Sequence, residues 1–184
     1  MDATEIIIVL VATVVAAGVL IWFWSRGRQS KHLRERFGPE YDHTVETYGD
    51  RREAERALEN RTKRVEKLHI RPLSQDEHNF FSREWIAIQS RFVDDPRGAL
   101  EDADRVVQDL MDTRGYPMGD FEQRAADISV DHPHVVENYR AAHSALPAFG
   151  SKETDTEQLR VAMVHYRALF QDLLDIPVEA QRAA

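Results

Sequence analysis

Nineteen consecutive residues without a charge, Ile6 to Trp24, constrain this chain more than any other feature. At 1.5 Å of rise per residue, a helix of that length spans about 30 Å, the thickness of a bilayer's hydrocarbon core. A helix satisfies its own backbone donors and acceptors, so it can lie in lipid without a partner. Trp22, Phe23 and Trp24 close the run where an aromatic belt would meet the headgroups. A cleaved signal peptide would want a basic start and small residues at its end. Here the start carries Asp2 and Glu5, and the end is aromatic. The expectation is an uncleaved anchor over residues 1–24.

The flanks set its direction. Arg26, Arg28, Lys31, Arg34 and Arg36 crowd the C-terminal side, whereas no Lys or Arg precedes the run. The positive-inside rule then predicts an N-terminus outside and a cytoplasmic C-terminal domain, with an exported domain as the alternative. The same five cations, in a basic juxtamembrane segment over 25–37, are candidates for contact with anionic lipid headgroups. Beyond them the charge changes sign. Residues 25–71 hold 13 Lys/Arg against 9 Asp/Glu, and residues 72–184 hold 11 against 21. An acidic distal region lacks the clustered cations that neutralise phosphates, so no nucleic-acid partner is expected. There is no cysteine, which excludes disulfides, thiolate metal sites and thiol catalysis.

Residues 38–176 read as one helical soluble domain, followed by a frayed tail over 177–184. Strand patterns are nearly absent and helix punctuation is dense. Gly38-Pro39 opens a short helix that Gly49 stops, and Tyr41, Val45 and Tyr48 share a face. Asp50 with Glu53, Ser74 with Glu77, Asp120 with Gln123 and Thr154 with Glu157 are spaced as N-terminal caps. Asp95-Pro96 starts another helix, which Arg114-Gly115 ends. Asp131 and Pro133 mark the start of a further one. Phe81, Trp85, Ile88 and Phe92 form an aromatic-rich stripe at helical spacing, placed inside the bundle against the helices over 96–113 and 155–175. Arg61 is expected to lay its stem beside the apolar stripe of Ala54, Leu58, Val65 and Leu68. The predicted fold class is all-α: one transmembrane helix, then a compact bundle of six or seven helices joined by short loops.

Chemistry has few footholds. His132 and His134 flank Pro133, and His143 and His165 lie on later helices; with nearby carboxylates they are the candidates for a metal or small-ligand site. None has the i, i+4 spacing of a zincin helix. No nucleophile elbow, phosphate-cradling loop or cofactor motif is present in the sequence, so no catalytic residue and no cofactor is predicted. The leading expectation is a membrane-tethered interaction or scaffold module with a protein partner. The rival is a ligand- or metal-binding domain, an enzyme included, built around the four histidines.

Several strings, Phe37-Gly38-Pro39-Glu40-Tyr41-Asp42, Arg91-Phe92-Val93-Asp94-Asp95-Pro96, Arg114-Gly115-Tyr116-Pro117, Asp120 to His143 and His165-Tyr166-Arg167-Ala168-Leu169-Phe170 among them, resemble a group of bacterial proteins with one N-terminal membrane helix and a helical domain. The resemblance spans most of residues 30–174. It implies a bacterial source and the same architecture. That group has no established activity, so no functional residue is carried over.

Overall fold

The computed structural model describes residue 28, residues 30–145 and residues 156–175. The proposed anchor Ile6–Trp24, Arg26, the Thr154 cap and the tail after Asp175 lie outside the described residues. Among the described residues there is no strand, and no helix is long and apolar enough to cross a membrane. The chain divides into two compact units at Arg36 and Phe37. In the first, the described residues from 30 onward are helical, and Lys31 pairs with Glu35 at 3.7 Å.

The second unit contains seven described helices: α1 (Pro39–Tyr48), α2 (Arg51–Val65), α3 (Gln75–Arg91), α4 (Pro96–Arg114), α5 (Phe121–Asp131), α6 (Val136–Ala145) and α7 (Thr156–Asp175). Their starts follow local chemistry. Asp50, Ser74, Asp95 and Asp120 each accept a hydrogen bond from the backbone N–H three residues on, which satisfies a donor the helix cannot. Ser74 and Glu77 complete the reciprocal capping box. Pro39 and Pro96 occupy first-turn positions where a missing N–H costs nothing.

Packing runs α1 on α2, α2 on α5, α5 on α6, α6 on α7, α7 on α4 and α4 on α3. The centre is α4, whose Ala99, Leu100, Ala103, Val107, Leu110 and Met111 are buried, against α7 with Leu159, Tyr166, Leu169, Phe170 and Leu173. Trp85 is inside, as its stripe requires, and stacks on Phe170 with ring centroids 4.4 Å apart and planes 13° from parallel. The buried guanidinium of Arg114 donates from Nη1 to the Leu173 carbonyl at 2.7 Å, satisfying one of the last acceptors of α7.

Two expectations are corrected. Phe92 is only half-buried, because it is the C-cap of α3, where the chain turns away from the core. Asp131 does not start a helix but is the last residue of α5, held there by buried Ile128 and Val130. His132 ends the helix, since a residue preceding proline is driven out of the α region. A turn closed by the Val135 N–H on the His132 carbonyl, at 3.2 Å, then leads into α6.

Candidate functional site

The α2 helix places Arg56, Asn60 and Arg64 four residues apart, one above another on a single face. Across from this row stands the first turn of α5, with Asp120, Glu122 and Gln123, and the end of α1 closes one side with Thr47 and Tyr48. Together they line an open groove of about 780 Å³. Arg61 also lines it, and at this residue the groove meets the interior.

Beneath Arg61 lies Glu40, whose side chain is completely removed from solvent. Arg61 Nη1 donates to Glu40 Oε1 at 2.5 Å and to Ser129 Oγ at 3.3 Å. Arg140 of α6 grips the same carboxylate with two bonds, Nη1 to Oε2 at 2.6 Å and Nη2 to Oε1 at 2.9 Å. Thr44 Oγ1 donates to the Glu40 carbonyl at 2.8 Å. Burial alone would push the Glu40 carboxyl up, but the bonds and charges of Arg140 and Arg61 outweigh it and hold it below the usual carboxylate value. Such a carboxylate is stable in the interior only while both cations stay in place.

A second buried acid repeats the pattern. Asp127 of α5 accepts from Arg64 Nε at 2.7 Å and from Gln123 Nε2 at 3.0 Å, with its own side chain 1% exposed. Two of the groove's three guanidiniums are therefore fixed from below by internal carboxylates, and their outer edges stay at its wall. Arg56 and the Asn60 amide add donors at the mouth, while Glu53, Asp120 and Glu122 add acceptors on the rim. The lining carries charges of both signs, and two of its guanidiniums are held in place from below.

The four histidines are not gathered at one point. His132 is buried at the end of α5, with Nδ1 2.5 Å from Asp172 Oδ2 of α7 and, among the described residues, no partner for its Nε2. His134 is exposed beside Gly38. His143 stacks on Phe121 at 3.6 Å, and burial depresses its pKa. His165 Nδ1 meets Asn138 Oδ1 at 2.8 Å. Among the described residues no three His, Asp or Glu side chains come together as a metal ion would require. Near the end of α4, Tyr116 donates from its hydroxyl to Asp131 Oδ2 at 3.1 Å, and burial drives its pKa well up, so it stays a neutral donor. Tyr166, raised in the same way, donates to Asp104 at 2.8 Å.

Of the five candidate headgroup cations, Arg28, Lys31, Arg34 and Arg36 are exposed, and Arg26 lies outside the described residues. Sequence reasoning missed Glu40, Asp127 and Arg114 as buried charges and half-buried Arg140 as the partner of Glu40. The one available signal was Arg61, which interrupts the flank of an apolar stripe and here turns inward to an acid 21 residues away. Compared with known proteins, the chain matches no family, no curated protein and no solved structure.

Proposed function

We propose that this chain is a membrane-tethered helical interaction module, non-enzymatic, of a bacterial cell membrane. In this reading Ile6–Trp24 spans the bilayer, Arg26, Arg28, Lys31, Arg34 and Arg36 lie against anionic headgroups, and the helical domain faces the cytoplasm. Its contact surface is the groove between α2 and α5, and the partner is a protein. The observation that carries the reading is the set of fixed guanidinium groups, Arg61 and Arg64, lining a groove of about 780 Å³. Preorganised polar groups lose little freedom on binding, which favours a surface made for recognition. The charge asymmetry of the flanks supports the orientation.

Position-dependent cross-linking tests the proposal. A photoreactive residue at Asn60, in the groove, should capture one defined protein in native membranes. The same residue at Ile86, which is 63% exposed on α3, should not. Equal capture from both positions, or none from Asn60, would overturn the groove as the contact surface.

A further inference from the structure

The helix that covers the Glu40 site is held in an unusual way. Three side chains of α1 are buried, namely Glu40, Tyr41 and Thr44. Only Tyr41 is aromatic or aliphatic, and its hydroxyl donates to Glu55 Oε1 at 2.8 Å and accepts from Arg51 Nε at 3.0 Å. Val45 is half-buried and Tyr48 is 47% exposed. The seat of α1 is therefore largely ionic, whereas α4 and α7 are seated by apolar side chains. Its main packing neighbour is α2.

Both ends of α1 are glycines with positive φ. Gly38 has φ +49° and Gly49 has φ +66°, and a Cβ on Gly49 would meet nothing within 4 Å. Glycine passes between left- and right-handed backbone at little cost, so a short helix between two of them can swing as a unit. Removing α1 would leave Arg61 and Arg140, 15% and 17% exposed in the closed chain, facing an empty carboxylate position beside the Ser129 hydroxyl. Arg61 also lines the groove, so the cradle adjoins the groove at this residue.

We propose that α1 is a displaceable strap, and that the Arg61–Arg140–Ser129 cradle beneath it is a binding site for a carboxylate-bearing peptide, occupied in the closed chain by Glu40 as an internal stand-in. The partner's chemistry follows from the cradle. Two guanidiniums, one of them bidentate, select a Glu or Asp side chain, while Ser129, whose hydroxyl donates to the Ala126 carbonyl at 2.7 Å and accepts from Arg61, steadies Arg61 from behind. The partner competes with a tethered copy of its own binding group, so its apparent affinity is set by how often α1 opens. This deepens the interaction reading above and rests on it for the existence of a partner; the opening of α1 is a property of the chain alone.

Two measurements on the full-length chain in detergent micelles test it. Native-state hydrogen exchange reads the strap without any substitution. The amides of α1 should exchange about 100-fold faster than those of α4, through an opening that leaves α4 and α7 closed. Equal protection of α1 and α4 would show that the two open only together, and would overturn the strap. The second measurement reads the cradle. A synthetic peptide of residues 37–50 is titrated against the Glu40→Ala chain, beside the same peptide carrying Gln in place of Glu40. Saturable binding of the Glu peptide, about tenfold tighter than the Gln peptide and about tenfold weaker once Arg140→Gln is added, is the expected result. No binding, or equal binding of the two peptides, would overturn the cradle. If Asn60 captures a partner while α1 proves as protected as α4, the interaction reading stands and the strap falls. If the strap opens and Asn60 captures nothing, the reverse holds.

Discussion

Replacing Trp85 with alanine should destabilise the helical domain by about 3–5 kcal/mol. A buried tryptophan removes roughly 200 Å² from water, worth about 5 kcal/mol at ~25 cal/mol/Å² as an upper bound. Trp85 is 5% exposed, so nearly all of that area is involved, and its ring lies flat on Phe170. Losing that stack adds roughly 0.5–1.5 kcal/mol, and partial collapse of the void returns some of the total. The assay is urea unfolding of residues 37–176, followed by circular dichroism. The fragment starts at Phe37 because that ring is fully buried. With a slope of ~2 kcal/mol/M, the midpoint should fall by about 2 M. Phe92→Ala, at the half-buried end of the same stripe, should cost less than half as much. The two other tryptophans, Trp22 and Trp24, lie outside the fragment. Its intrinsic fluorescence thus reports Trp85 alone and should peak at a buried wavelength. A midpoint within a few tenths of a molar of the parent, or emission typical of water-exposed indole, would refute the core placement.

Three further outcomes follow from the charged and capping groups. Glu40→Gln should cost about 3 kcal/mol near neutral pH, because it leaves Arg61 and Arg140 facing an uncharged group. The Glu40 pKa is lower in the folded than in the unfolded chain, so its stabilisation is present above the ordinary carboxylate range and is lost as pH falls through the folded value. The gap between parent and variant should accordingly narrow on acidification in denaturant titrations at several pH values; a gap independent of pH would contradict the ionic account. Ser74→Ala removes one half of the α3 capping box and should cost about 1 kcal/mol by thermal unfolding. Glu77, whose carboxyl is held down at about 2 mainly by its bond to Arg71 with help from the Ser74 backbone, should be released by Arg71→Gln. Its carboxyl resonance should then titrate at higher pH.

How much was legible depended on the range of the interaction. Caps act over three residues, so Asp50, Ser74, Asp95 and Asp120 could be read directly from spacing. The Phe81–Trp85–Ile88 stripe obeyed helical periodicity and is buried. Asp131 failed because the same residue type that caps a helix can also end the preceding one, and only the buried Ile128 and Val130 decide between them. The Glu40 site was invisible for a different reason. Glu40 sits in the first turn of α1, where an acidic residue normally means a solvated helix start. Its partner Arg140 lies 100 residues further on, and no local pattern links the two. The histidines were grouped because they are close in sequence or share chemistry, but packing sends them to separate neighbours: Asp172, Phe121 and Asn138.

The most direct test of a tethered module with an occupied groove uses the absence of cysteine from the chain. A single Asn60→Cys or Ile86→Cys is introduced into the full-length protein, and labelling by a membrane-impermeant maleimide is timed in intact cells, in opened native membranes and in purified protein. The account predicts no labelling of either position in intact cells. Once the membranes are opened, Ile86→Cys should label as fast as in purified protein, and Asn60→Cys markedly more slowly because a partner covers it. Labelling in intact cells would contradict the cytoplasmic placement, and equal rates at Asn60→Cys in native membranes and purified protein would contradict an occupied groove.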